Sequence, residues 1–159
     1  MAQYLLVHGA WHGAWCWQDV SEGLIRAGHS AHALTLTGLG ERSHLLHRGI
    51  DLETHVQDVL QALDAQEMQD AILVVHSYAG MLGTAVADRR VASVPRTFIN
   101  CTLPPLATID AVRRRVIDPQ FWDGLWIQNA SVIEMKTGHD PMISAPKELT
   151  ALLLACADQ

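Results

Sequence analysis

Apolar residues along the chain fall into two alternating patterns, short continuous runs and stripes at helical spacing. Five short runs are bounded by glycine, proline or polar residues, which is typical of β-strands. The predicted strands span residues 3–8, 30–36, 71–76, 96–101 and 131–135. Helical spacing predicts helices over residues 17–25, 52–63, 78–88 and 108–116, and a last helix that begins at Pro146.

Strands separated by helices indicate parallel pairing with right-handed crossovers. We therefore expect an α/β fold, a three-layer sandwich with a mostly parallel sheet of about five strands. The length of 159 residues suits a single domain over residues 1–159, without internal repeats or an obvious linker. In such sheets the functional loops lie outside the carboxyl ends of the strands.

Composition and charge narrow the function classes. The net charge of −6 and the isoelectric point near 5.8 argue against nucleic acid or an anionic membrane as the main partner. No apolar run approaches the roughly 20 residues that a membrane span needs, and no signal peptide is visible. The 3 cysteines fit neither a metal-binding motif nor a disulfide framework, and an odd number suits a reducing cytoplasm.

The segment AILVVHSYAGM, residues 71–81, is the most informative part of the chain. It predicts a buried strand that ends in a sharp turn and a helix, with the Ser77 hydroxyl raised out of the turn. A hydroxyl placed there can attack a carbonyl, and the N–H of Tyr78 at the helix start can bind the oxyanion. Because most serines have no chemical role, the interpretation also needs a base, a second oxyanion donor and an acid.

Four motifs follow one another in the order that one known family uses. HGAWHGAWCW, TLTGLGERSHL, VVHSYAGM and KTGHDPMISAPKEL resemble the α/β-hydrolase superfamily, and the closest resemblance is to its small esterases and the related methylesterase and hydroxynitrile-lyase group. The resemblance covers residues 1 to about 90 and about 95 to 157.

The chain departs from this family in two ways. The family elbow is Gly-x-Ser-x-Gly, whereas Val75 and Ala79 flank Ser77 here, and the bulk of Val75 is expected to shift the helix. Family members resemble domains of roughly 200–250 residues. The strand that precedes PRTFINCT in the family and the helical cap over the pocket have no counterpart, so we expect a minimal hydrolase core without a cap.

The resemblance implies a role for several residues. Ser77 is the expected nucleophile, and His139, in the loop after the last strand, is the expected base. The oxyanion hole is expected at the N–H groups of Ala10 and Tyr78. Substrate is expected to contact the first loop, at the residues Gly9 and Trp11.

The acid that would orient the base is harder to place. The loop expected to carry it, residues 102–105, holds no carboxylate, so Asp110 is predicted as the nearest downstream candidate. Asp140 adjoins His139, but adjacent side chains tend to point apart. A Ser–His dyad without an acid stays open as an alternative.

The other histidines have simpler interpretations. His8 and His76 are expected to support the loops through hydrogen bonds to the backbone. His44, His47 and His55 are expected to be solvated loop histidines rather than metal ligands. Neither a metal nor a cofactor is expected.

The predicted function is cofactor-independent hydrolysis of a small carboxylic ester through an acyl-enzyme on Ser77. One alternative is a hydroxynitrile-lyase-like activity at the same residues. Another is a hydrolase-fold remnant with weak or no activity that acts in binding or oligomerisation. Because a lost strand leaves a sheet edge unpaired, a homodimer or higher oligomer is predicted.

Overall fold

Parallel strands and helices alternate through the computed structural model, which describes residues 1–90, 95–105, 107–118, 120 and 130–157. The strands are β1 (Gln3–Val7), β2 (Ser30–Leu34), β3 (Ile72–Val75), β4 (Arg96–Cys101) and β5 (Ala130–Met135). The helices are α1 (Gln18–Arg26), α2 (Leu52–Ala65), α3 (Ala79–Arg90), α4 (Ala107–Val116), α5 (Pro141–Ser144) and α6 (Pro146–Ala157), with 3-10 helices at Ala14–Trp17 and Gly40–Leu45. The predicted strands and helices are confirmed, with ends that differ by one or two residues.

The strands form two parallel sheets. One sheet has the order β2-β1-β3, and the other pairs β4 with β5. The predicted α/β architecture with five parallel strands is confirmed, but among the described residues no hydrogen-bonded ladder joins β3 to β4. The division falls where the family strand before β4 was expected to be absent.

The central strand β1 supplies the core on both of its faces, because successive side chains of a strand point to opposite sides. Tyr4 and Leu6 pack with residues of α1 and α6, and Leu5 and Val7 pack with residues of α2 and α3. The helices therefore cover both faces of the sheet, which confirms the predicted three layers.

The core cluster that contains Tyr4 and Leu6 also links the two sheets. Met135 at the end of β5 is 7% exposed and packs in the same cluster as Tyr4 and Leu6 of β1, and Ile99 of β4 packs against that cluster. Met142 of α5 is buried there as well. Apolar packing rather than strand pairing thus connects β4 and β5 to the larger sheet.

A capping pair in the sequence, Asp51 and Thr54, sets the start of α2. Asp51 accepts a hydrogen bond from the Thr54 N–H, and the Thr54 hydroxyl accepts one from the Asp51 N–H. These bonds lower the pKa of Asp51.

The three cysteines, Cys16, Cys101 and Cys156, are free thiols. Within the described ranges, no helix combines the length and the apolar character that crossing a bilayer requires.

Candidate active site

Ser77 lies at the turn between β3 and α3 with a left-handed backbone. Its φ of +53° is uncommon for a residue with a Cβ and is held here by the strand before it and the helix after it. The side chain is exposed. This is the conformation that raises a nucleophile out of a strand-to-helix elbow, as the sequence predicts.

The bulky Val75 at the elbow is accommodated by a glycine one helical turn into α3. A Cβ added to Gly83 would lie 3.0 Å from Val75 Cγ2, so the valine side chain occupies the space that a side chain on α3 would need. Ala79 at the other flank is fully buried. The contact between Val75 and Gly83 depends on how α3 crosses β3, so it is not visible in the sequence.

The loop that follows β5 brings His139 to Ser77. The Nε2 atom of His139 lies 3.1 Å from Ser77 Oγ, although the residues are 62 positions apart in sequence. The loop after β4 holds the loop that carries His139 in place, since the Leu103 N–H donates to the Thr137 carbonyl at 2.9 Å. The structure therefore brings the two residues proposed as nucleophile and base within hydrogen-bond distance.

The first loop approaches the elbow closely, and only glycine allows it. A Cβ on Gly9 would lie 2.7 Å from His76 Nδ1 and 3.0 Å from Ser77 Cβ. Within the described part of the chain, neither the Ala10 N–H nor the Tyr78 N–H has a described hydrogen bond. No described hydrogen bond thus competes for these two N–H groups, and their role as an oxyanion hole stays a prediction.

His8 fixes the base of that loop. Its Nδ1–H donates to the Gly9 carbonyl at 2.6 Å, and its Nε2 accepts from the Leu36 N–H at 3.1 Å. Burial lowers the pKa of His8, so the ring is neutral, as these two bonds require. The prediction of a loop-supporting histidine is confirmed.

His76, the residue before the nucleophile, contacts the backbone of the expected base. Its Nε2–H donates to the His139 carbonyl at 2.8 Å, and the two rings lie 4.9 Å apart between centroids. Asp140 Oδ1 lies 3.5 Å from His76 Nε2 and 3.7 Å from His12 Nε2. His76 therefore supports a loop as predicted, but the loop is the one that carries His139.

Among the described contacts, the predicted acid Asp110 is not paired with His139, and its role stays a prediction. Asp110 lies in the first turn of α4, and its Oδ1 accepts from Arg113 Nη1 at 3.0 Å, a contact within its own helix rather than with His139. No hydrogen bond to His139 Nδ1 is described, and Asp140 faces the rings of His12 and His76.

Among the described residues, no group of three or more histidine, cysteine, aspartate or glutamate side chains is arranged to hold a metal ion.

Two further predictions concern residues near the elbow. Trp11 is 92% exposed with a φ of +69°, and its contact with substrate stays a prediction. The prediction of a solvated His55 is wrong, because His55 lies on α2 and is only 7% exposed. Its Nε2–H donates to the Thr37 carbonyl at 2.8 Å and its Nδ1 accepts from the Tyr78 hydroxyl at 2.9 Å, which ties α2 to the elbow.

The fold agrees with what comparison of the chain with known proteins finds. Residues 4–130 match the alpha/beta hydrolase family, and the chain belongs to that family. A carbendazim hydrolyzing esterase from Nocardioides sp. (strain SG-4G) is 53% identical over 89 residues, which cover 56% of this chain and 37% of that protein. The probable esterase PIR7A from Oryza sativa subsp. indica is 28% identical over 160 residues, which cover 94% of this chain and 59% of that protein.

Solved structures show the same fold at low sequence identity. The methylesterase MES16 from Arabidopsis superposes with a TM-score of 0.73 at 19% identity, over 99% of each chain. An extracellular alpha/beta-hydrolase from a Paenibacillus species superposes with a TM-score of 0.72 at 14% identity, over 98% of each chain. The chain spans between 37% and 59% of the length of the two curated relatives above.

Proposed function

We propose that the protein hydrolyses small carboxylic esters through an acyl-enzyme on Ser77, with His139 as the base. The observation that carries the proposal is the 3.1 Å contact between His139 Nε2 and Ser77 Oγ at a left-handed elbow. A hydroxyl is a weak nucleophile until a neighbouring base accepts its proton, and this contact provides one. The esterase relatives support the same reaction class.

The reaction proceeds in two halves. In the first, Ser77 Oγ attacks the ester carbonyl carbon while His139 Nε2 takes the hydroxyl proton, and the Ala10 and Tyr78 N–H groups bind the oxyanion. The C–O bond to the alcohol then breaks, and the alcohol leaves with the proton from His139. In the second half, His139 takes a proton from water, the resulting hydroxide attacks the acyl carbon, and the acid leaves as Ser77 regains its proton.

We propose that this reaction runs on a dyad, because the described contacts give His139 no carboxylate. An acid that orients the histidine adds to the rate, but oxyanion binding and the base act without it. The proposal therefore predicts slow turnover, without a metal or cofactor.

The test is hydrolysis of p-nitrophenyl acetate by the parent protein, Ser77→Ala and Ser43→Ala. Ser43 is an exposed serine in the 3-10 helix Gly40–Leu45 and serves as the matched control. We expect Ser77→Ala to lose at least about a hundredfold in kcat and Ser43→Ala to keep the parent rate. Equal rates for Ser77→Ala and the parent would refute the proposal.

Two other readouts separate the alternatives. Release of cyanide from mandelonitrile above background would favour the lyase. A folded parent protein whose Ser77 is not labelled by a fluorophosphonate would favour a binding remnant over both enzymes.

We also propose that the chain associates with itself, since one edge of β3 (Ile72–Val75) has no strand partner among the described strands. Unpaired strand edges favour pairing with another chain. Light scattering at micromolar concentration should give a dimer or larger species, and a monomer would contradict the proposal.

A further inference from the structure

We infer that His76 is a positioning residue for His139, and that its hydrogen bond to the His139 backbone replaces the orientation that a carboxylate on the ring would give. The inference rests on the proposed function, because it concerns how the base is held against Ser77. It concerns the residue that directly precedes the nucleophile, so one turn of the chain carries both the attacking group and the support for its base.

The hydrogen-bond partner of His76 shows which ring nitrogen carries the proton. A carbonyl oxygen only accepts hydrogen bonds, so the 2.8 Å contact with the His139 carbonyl places the proton on His76 Nε2. Among the residues that the structure describes, His76 Nδ1 has no hydrogen-bond partner, and it is buried. A proton on Nδ1 would have no acceptor there, and burial also lowers the pKa of His76, so the ring is neutral.

The His76 ring is packed between four described neighbours, Gly9, His12, His139 and Asp140. The side chain is 10% exposed, and the Gly9 backbone packs against its Nδ1 edge. The rings of His12 and His139 lie 6.0 Å and 4.9 Å away between centroids. The carboxylate of Asp140 lies 3.5 Å from Nε2, where its negative charge favours the direction of the N–H dipole.

The His76 N–H donor connects the loop that carries His139 to the turn that carries Ser77. Ser77 and His76 belong to the turn after β3, whereas His139 belongs to the loop after β5 in the other sheet. The His76 bond joins these two loops one residue away from the reacting hydroxyl. A displacement of the base by about 1 Å can cost about a hundredfold in rate, so the bond governs how often His139 Nε2 faces Ser77 Oγ.

The test compares three substitutions in the p-nitrophenyl acetate assay. His76→Leu removes the donor, and His76→Gln keeps an N–H donor at similar reach. His29→Leu is the matched control, because His29 Nδ1 also bonds a backbone group, the Ala2 N–H at 3.1 Å, far from the elbow in sequence. We expect His76→Leu to lower kcat at least tenfold with KM changed less than twofold, His76→Gln to keep at least a third of kcat, and His29→Leu to keep the parent kcat.

The outcomes distinguish failure of the inference from failure of the proposed function. An unchanged kcat in folded His76→Leu, or a rise in KM at unchanged kcat, overturns the inference while loss of activity in Ser77→Ala still upholds the proposed function. Activity that persists in Ser77→Ala overturns both. If His76→Leu does not fold, ring ¹⁵N shifts of the parent decide: the Nε2-protonated tautomer of His76 supports the inference, and the Nδ1-protonated tautomer overturns it.

Discussion

The left-handed backbone at Ser77 predicts that two substitutions which both remove the nucleophile will differ in stability. A residue with a Cβ at φ +53° carries a penalty of about 1–2 kcal/mol, and glycine does not. Glycine loses more chain entropy on folding, which opposes the gain by about 0.5–1 kcal/mol. We therefore expect Ser77→Gly to be more stable than Ser77→Ala by roughly 0.5–1 kcal/mol.

The assay is thermal unfolding of both variants, followed by circular dichroism. For a chain of this length, 1 kcal/mol corresponds to a shift of about 2–4 °C in Tm, so the expected difference of roughly 1–4 °C is measurable. Ser43 provides the control pair, because it is exposed and is not among the residues with positive φ. There the order reverses, and Ser43→Gly should be less stable than Ser43→Ala by about 0.5–1 kcal/mol.

Backbone strain at Ser77 is refuted if Ser77→Gly melts at or below the temperature of Ser77→Ala while the Ser43 pair behaves as expected. That result would mean that the elbow carries no backbone strain, and the turn would lose its distinction from an ordinary loop.

Three other predictions follow from contacts around the elbow. Gly9→Ala should lower stability by about 1–3 kcal/mol in urea unfolding, because the new Cβ would lie 2.7 Å from His76 Nδ1, and an unchanged midpoint would contradict this packing. Tyr78→Phe should lower stability by about 1 kcal/mol, because the buried His55 Nδ1 loses its donor; no loss would exclude that bond. Because burial lowers the pKa of His8 from 6.5, the unfolded chain binds its proton first, so stability should fall as pH decreases below about 6.5. His8→Gln should reduce that slope in urea unfolding, and an identical slope would rule out this assignment.

The sequence predicted the elements well because each has a local cause. The apolar run of β3, the capping pair that begins with Asp51, and the proline at the start of α6 act over a few residues, so they can be recognised without the fold. The division of the sheet between β3 and β4 depends on long-range pairing, and the order of motifs only suggested it through a missing segment.

In the candidate site, too, local signals could be recognised from the sequence and long-range contacts could not. Ser77 and His139 were recognisable because each follows a strand in a motif of fixed order. The contact of His76 with the His139 carbonyl was not, since it depends on where two distant loops meet. His55 was grouped with the loop residues His44 and His47, although residue 55 lies inside the helix predicted over residues 52–63. Its position on the buried face of α2 directs it to Tyr78.

Ser77 and His139 belong to loops of two different sheets, which are connected by side-chain packing. Ser77 extends from the three-stranded half and His139 from the two-stranded half, and side-chain packing through Met135 holds the halves together. If Ser77 and His139 act together as proposed, activity depends on how the two sheets pack as well as on the chemistry. As denaturant weakens that packing, the hydroxyl and the imidazole should separate, and turnover should be lost before either sheet loses its helices.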